Sequence, residues 1–211
     1  MEMTLAKKLQ DPKRQDLYEL ICEKVCNASD PYPARNYGER IDQKIQRYRE
    51  QVDKKLKEHI IIINNAIDVD AMAYDENLRN ERRKALNWED NYIIGNIGRL
   101  HFQKNQKFVI DIFAETAKLI PEARLVLIGQ GEDETELKEK VKRLGLQEKV
   151  LLAGKQYNIR SWLSAFDLFL FPSLFEGLSI AALEAQANGI PVLASEGVIT
   201  EKAKVNDLSL I

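Results

Sequence analysis

From His59 onward, short unbroken apolar runs alternate with longer stretches in which apolar residues recur every three or four positions. The runs are HIIII (59–63), YIIGNIG (92–98), RLVLIG (124–129), VLLAG (150–154), LFLF (168–171) and PVLAS (191–195). Continuous apolar character over so few residues fits a strand buried on both faces. Between them lie helical patterns: DENLRNERRKAL (75–86), NQKFVIDIFAETAKLI (105–120), ETELKEKVKRLG (134–145), IRSWLSAF (159–166) and SIAALEAQAN (179–188). In the second of these Phe108, Ile112, Ala117 and Ile120 point to a core, and Gly145 stops the third. Strands alternating with helices predict an α/β fold, a doubly wound parallel sheet wrapped by helices.

The first quarter of the chain has another character. Of residues 1–58, 24 are charged, against 40 of the remaining 153, which predicts a boundary near residue 58. RIDQKIQRYREQVDKKLKEH places Ile41, Ile45, Tyr48, Val52 and Leu56 in one apolar stripe. RQDLYELICEKVC has a similar face, and the Pro, Asn and Gly of NASDPYPARNYG mark a loop between the two. The expectation is a small charged helical segment that packs on the following domain or recruits a partner. Cys22 and Cys26 share a face there, but two ligands with no His or Cys nearby do not make a zinc site.

Charge then narrows the function. With 31 basic and 33 acidic residues the formal net charge is -2, so no general field draws the chain to nucleic acid or an anionic membrane. Any anion site must be local. No apolar run is long enough to span a bilayer, and MEMTLAKKLQ lacks a signal-peptide core, which predicts a cytoplasmic protein, at most peripheral to a membrane.

Ligands of parallel α/β sheets bind beyond the carboxyl ends of the strands. That rule selects the loops after Gly98, Gly129, Gly154 and Pro172. In GRLHFQKN, Arg99 follows the strand and Lys104 precedes the next helix; two cations there suit a diphosphate, although Arg and Lys in loops are usually solvated. Gly129 and Gly131 lack a third glycine at dinucleotide spacing, so they either make a tight turn or let a ligand approach. That gap also removes a dehydrogenase reading. In FEGLSIAALEAQANG, Ser179 is a candidate N-cap and Gly189 a C-terminal stop. The N–H groups near Gly177, Leu178 and Ser179 would form a third anion-binding element. Glu184 is a carboxylate on an apolar helix: either half of a buried ion pair or an acceptor for vicinal ribose hydroxyls. Glu176, in the preceding loop, could accept from the hydroxyls of another sugar.

These segments resemble a known family. GRLHFQKN, LVLIGQGED and VLLAGKQYNIRSWLSAFDLFLFPSLFEGLSIAALEAQANGIPVLASEGV are similar, in order and spacing, to the donor-binding half of the GT-B retaining glycosyltransferases, glycosyltransferase group 1 or family 4. NNAIDVDAM resembles the segment that enters that half, and the likeness covers about residues 59–205. It implies a Rossmann-like half of a GT-B fold that binds a nucleotide diphospho-sugar for retaining glycosyl transfer to an acceptor hydroxyl. Arg99 and Lys104 would hold the diphosphate and, with Glu176, carry the chemistry. Glu184 would hold the ribose, Glu176 the transferred sugar, and the segment Lys155, Gln156, Tyr157 would lie beside the base. Gly129, Gly131, Gly177, Leu178 and Ser179 complete the expected donor site. No cofactor or metal is expected: the cations substitute for one, and Asp68 and Asp70 of DVD belong to the entry segment. His101 is expected to be an exposed loop histidine.

The chain departs from the family pattern at both ends. Residues 1–58 do not resemble an acceptor domain, and residues 59–211 read as a donor domain that stops as another strand begins. Three readings follow: a donor half served by a separate acceptor-domain polypeptide, a truncated remnant without activity, or a partner-binding module.

Overall fold

The computed structural model describes residues 65–199 and the two-residue strand 209–210. The expected helices of residues 1–58 and the strand at 59–63 lie outside the described residues. A short helix α1 (Val69–Met72) leads into α2 (Glu76–Leu86), and then strands and helices alternate. They are β1 (Tyr92–Ile97), α3 (Gln106–Leu119), β2 (Ala123–Ile128), α4 (Glu134–Arg143), β3 (Val150–Gly154), α5 (Ile159–Ala165), β4 (Leu168–Phe171), α6 (Ile180–Asn188), β5 (Val192–Ala194) and β6 (Ser209–Leu210). The strands form one parallel sheet in the order β3-β2-β1-β4-β5-β6. This is the doubly wound α/β architecture expected from the sequence.

Successive strand side chains feed the two helical layers in turn, because they point to opposite faces. Ile94, Leu125, Leu127, Leu168 and Leu170 pack with Val109, Ile110 and Phe113 of α3 and with Leu137 and Val141 of α4. Their neighbours Ile93, Val126, Ile128, Phe169 and Phe171 pack with Trp162 and Leu163 of α5 and with Ala182 and Leu183 of α6. Both faces are dry, which is why the strands are apolar without alternation. Of the four positions of this pattern expected to seek a core, Ile112 of α3 and Ile120 just after it are buried, while Phe108 and Ala117 pack against the core from its margin.

Helix α2 is held by charge rather than by an apolar stripe. Arg79 and Arg83 are buried and converge on Asp167, just before β4: Arg79 Nη2 lies 2.6 Å from Oδ1, and Arg83 Nη2 bonds Oδ2. The Ile93 amide also donates to Asp167 Oδ2, at 2.8 Å. Arg79 further donates to the carbonyls of Ser164, Ala165 and Phe166, the orphan acceptors at the end of α5. Every charge in this cluster is paired and hydrogen-bonded; breaking such a buried set by removing one member costs about 3–5 kcal/mol. It anchors the sheet at the amino ends of β1 and β4, which leaves the carboxyl ends for the site. Among the described residues no helix is long and apolar enough to cross a membrane.

Candidate functional site

The chain builds outward from β1 to β2 and β3, then returns to lay β4, β5 and β6 on the other side. The connections leaving β1 and β4 therefore diverge, and a crevice opens beyond their carboxyl ends. The β1–β4 ladder is short, pairing Ile94 with Leu168 and Gly95 with Phe169. Past it, Asn96 Nδ2 donates to the Leu170 carbonyl at 2.9 Å, a side chain taking the place of the next ladder bond.

The loops that leave these two strands carry the residues singled out above. After β1 come Arg99 and a single 3-10 turn, Phe102–Lys104, whose entry is capped by His101. After β4, residues 173–179 lead to α6. Ser179 caps that helix, its side chain accepting from the Ala182 amide, and Gly189 ends it in the left-handed conformation, φ 80°. The amides of Gly177, Leu178 and Ser179 have no acceptor among the described residues, so they remain available to an anion.

Lys104 and Glu176, 72 residues apart in sequence, meet in this crevice with Nζ 2.5 Å from Oε1. The pair is largely enclosed, the side chains being 17% and 6% exposed. The Lys104 stem lies against Gly98, where an added Cβ would stand 3.3 Å from it, and the ammonium sits 5.4 Å from the centre of the Phe171 ring. Arg99 is more open: its guanidinium is 3.3 Å from Glu132, with side chains 69% and 58% exposed. Glu132 also receives His101, Nε2 to Oε1 at 3.1 Å.

His101 differs from its expectation. Its side chain is partly buried rather than exposed, Nδ1 accepts from the Gln103 amide, and Nε2 faces Glu132. With both ring nitrogens engaged it is a structural cap.

The two glycines of GQG are explained by close backbone approach. A Cβ on Gly129, whose φ is 141°, would lie 1.8 Å from the Gly98 carbonyl oxygen, and one on Gly131 would lie 2.0 Å from that of Leu100. They let the loop after β2 rest on the loop that carries Arg99. Asp68 caps α1, accepting from the Ala71 amide at 3.0 Å.

Glu184 has no hydrogen-bond or ion-pair partner among the described residues. Burial raises its pKa above the ordinary carboxylate value. A carboxylate with no partner among the described residues, on a helix with no other charge, has acceptor capacity to spare. In the segment after β3, Gln156 is committed internally, donating to the Ala153 carbonyl at 2.6 Å and accepting from Trp162 Nε1 at 3.1 Å. Tyr157 beside it is 85% exposed, with Lys155 Nζ 5.1 Å from the ring centre.

Two residues at the site escaped the sequence reading. Glu132 follows the GQG turn directly, so an acidic residue in a loop beside a cation was a visible signal. Gln103 had none: an amide in a polar loop points nowhere by itself. Its side chain donates to the Phe175 carbonyl at 2.8 Å.

Residues 78–204 match the family of glycosyl transferases group 1, and residues 1–113 match a domain of unknown function, DUF3878. Over 143 residues the chain is 34% identical to an uncharacterized glycosyltransferase of Methanocaldococcus jannaschii, covering 68% of this chain and 35% of that protein. Over 144 residues it is 35% identical to the UDP-Gal:alpha-D-GlcNAc-diphosphoundecaprenol alpha-1,3-galactosyltransferase of Escherichia coli, covering 64% and 36%. The crystal structure of Anabaena HepE in complex with UDP and glucose superposes with a TM-score of 0.59 at 26% identity, over 64% of this chain and 38% of that one. The chain spans about a third of the length of the curated relatives it matches.

Proposed function

Since the chain belongs to the glycosyl transferases group 1, and through its first 113 residues to a domain family of unknown function, we propose that the crevice between β1 and β4 binds a nucleotide diphospho-sugar for retaining transfer of the glycosyl group to an acceptor hydroxyl. Its sheet is the Rossmann-like half of a GT-B fold. The observation that carries the proposal is the convergence of Lys104 and Glu176 at the switch point, with Arg99 and the N–H groups of Gly177–Ser179, which have no acceptor among the described residues, beside them. An ammonium and a carboxylate held side by side suit a ligand whose phosphate and sugar hydroxyls are neighbours.

In this reading Arg99, Lys104 and the start of α6 hold the diphosphate, Glu184 accepts from the ribose hydroxyls, and Glu176 accepts from those of the transferred sugar. Lys155 and Tyr157 lie at the base, with Gln156 holding their segment. Gly129 and Gly131 shape the Arg99 loop. As transfer proceeds, the bond from the anomeric carbon to the diphosphate oxygen breaks and its electron pair leaves with the diphosphate. The acceptor oxygen bonds to the same carbon on the same face, and its proton passes to the departing phosphate oxygen lying there. Preorganised donors stabilise the charge that grows on the leaving group. Two cations and a helix N-terminus supply that field, so the mechanism calls for no metal.

The acceptor faces the crevice from a second unit, with a separate acceptor-domain polypeptide as the proposed partner. The Escherichia coli relative is named for a lipid-diphosphate acceptor, and a cytoplasmic protein working at a membrane surface fits such chemistry. Calorimetric titration of the full chain with UDP, UDP-glucose, UDP-galactose and GDP-mannose tests donor binding. A saturable 1:1 heat with at least one is expected; no heat with any of them, in folded protein, refutes it.

A further inference from the structure

The turn after β3 is built around one carboxamide. Gln156 Nε2 donates to the Ala153 carbonyl at 2.6 Å, and its Oε1 accepts from Trp162 Nε1 at 3.1 Å. An indole N–H only donates and a carbonyl only accepts, so the amide fits one way round. Gln156 thereby ties the end of β3 to α5 across the turn that Gly154 opens, with φ 65°. Trp162 is a fixed post for that tie. It is 4% exposed, and its ring packs beside Phe166 with centroids 6.4 Å apart. The Arg82 guanidinium lies 4.3 Å from the ring centre, with Nε donating to Ser161 Oγ at 3.2 Å. A buried indole N–H needs an acceptor, and Gln156 is the one it has among the described residues. Two further holds border the turn. The Gly154 carbonyl accepts from the Gly129 amide at 2.9 Å, and Asn158 caps α5, its side chain accepting from the Ser161 amide at 3.2 Å. Between these holds, Lys155, Gln156 and Tyr157 make no backbone–backbone hydrogen bond among the described residues.

We infer that Trp162 is a positioning residue for base selectivity: through Gln156 it sets where the backbone of residues 155–157 and the exposed Tyr157 ring stand. The inference rests on the reading that this segment lies beside the base of the donor. With the Gln156 side chain committed at both ends, the groups left to meet a base are those backbone N–H and C=O groups and the Tyr157 ring. Bases differ in the order of donors and acceptors along their edges, so telling them apart depends on partners fixed in place. Loss of the indole donor leaves the Gly129 and Asn158 holds intact, so the turn persists, but its middle is no longer pinned to α5. Arg99 and Lys104 stand on the loop after β1, so the diphosphate subsite is spared. Trp162 therefore governs the choice among nucleoside diphosphates rather than the holding of the diphosphate itself.

The test titrates the full chain with UDP, GDP, ADP and CDP. Wild type is compared with Trp162→Phe, which keeps an aromatic ring and loses the donor, and with Gln156→Met, which keeps the length and loses both bonds. Gln156 is only half-buried, so its variant decides the matter should Trp162→Phe fold poorly. The ratio between the tightest and the weakest nucleotide is expected to fall about three- to tenfold in both variants, the worth of one hydrogen bond. That loss should fall on the preferred nucleotide, the weakest changing less than about twofold. The double variant should lose no more than Gln156→Met, because the two residues act through one contact. In proton–nitrogen NMR spectra the Trp162 indole resonance, identified by its absence from Trp162→Phe, should move when wild type binds its preferred nucleotide. Equal affinity for all four nucleotides in wild type, an unchanged ratio in Gln156→Met, an equal loss for all four, or an indole resonance that ignores the nucleotide overturns the inference alone. A folded wild-type chain that binds none of the four overturns the functional reading, and the inference with it.

Discussion

Replacing Glu176 by glutamine should strengthen the binding of UDP, even though Glu176 is proposed as part of the donor site. In the ligand-free crevice the carboxylate neutralises Lys104 at 2.5 Å. A diphosphate arriving at Lys104 must share that ammonium with an anion already there. At a separation of about 6 Å and an effective dielectric of about 20 to 40, a carboxylate and one phosphate charge repel by about 1.4–2.8 kcal/mol. Relaxation of the freed side chain favours the low end, which corresponds to a dissociation constant about tenfold smaller. Glutamine preserves the shape and still offers Lys104 an amide oxygen, so the loop should hold its place. For a sugar nucleotide the sign differs. Hydrogen bonds from hydroxyls to a charged acceptor contribute about 1.5–3 kcal/mol, and glutamine forfeits much of that. The gain of UDP-glucose over UDP should therefore shrink while UDP itself tightens. Calorimetry on wild type and Glu176→Gln with both ligands reads the two effects separately. If folded Glu176→Gln binds UDP equally or more weakly, Glu176 does not compete with the diphosphate for Lys104, and the reasoning fails.

Two further predictions concern the flanks of the site. Burial raises the Glu184 pKa from its ordinary value of 4.5, so the fold prefers the protonated form. Its contribution to stability is fully present below the ordinary value and is lost as pH rises through the raised one. Glu184→Gln should thus raise Tm at pH 7 and flatten the pH dependence across that window. By the proposed ribose role it should also weaken UDP up to about tenfold, because a neutral amide oxygen replaces the charged acceptor, and in wild type UDP affinity should fall as pH drops through the raised value. Gly131→Ala would press a Cβ to 2.0 Å from the Leu100 carbonyl oxygen and is expected to cost about 1–3 kcal/mol in denaturant unfolding. Gly177→Ala, with open space around it, should leave stability unchanged; equal losses at the two glycines would contradict the packing account.

Much of the fold was legible because each element carried its own signal. The run LFLF could only be a strand enclosed on both faces, and it supplies Leu168 and Leu170 to one layer and Phe169 and Phe171 to the other. Ser179 and Gly189 marked the ends of α6 by cap chemistry alone. The strand-end rule then selected the loops of Arg99, Lys104 and Glu176 without knowledge of strand order. What it could not supply was contact across the switch point. Nothing local says that Lys104 touches Glu176, or that Gln103 grips Phe175, since both depend on β4 being laid beside β1. The same limit hid the arginines of α2. ENLRNERRKAL looks like a solvated helix because the partner that lets Arg79 and Arg83 be buried, Asp167, comes more than eighty residues later. Burial of charge is decided by pairing, and pairing is a property of the fold.

The central claim, that the crevice is built for a diphosphate linked to a nucleoside, is tested most directly by comparing UDP with UMP on the full chain. UDP should bind at least about tenfold tighter, because in the proposed pose the second phosphate reaches the Lys104 ammonium and the N–H groups of Gly177–Ser179. In Arg99→Ala/Lys104→Ala that preference should collapse while UMP changes little. Equal affinity for UDP and UMP in the wild-type protein, or a preference for UDP that survives loss of both cations, would contradict the account.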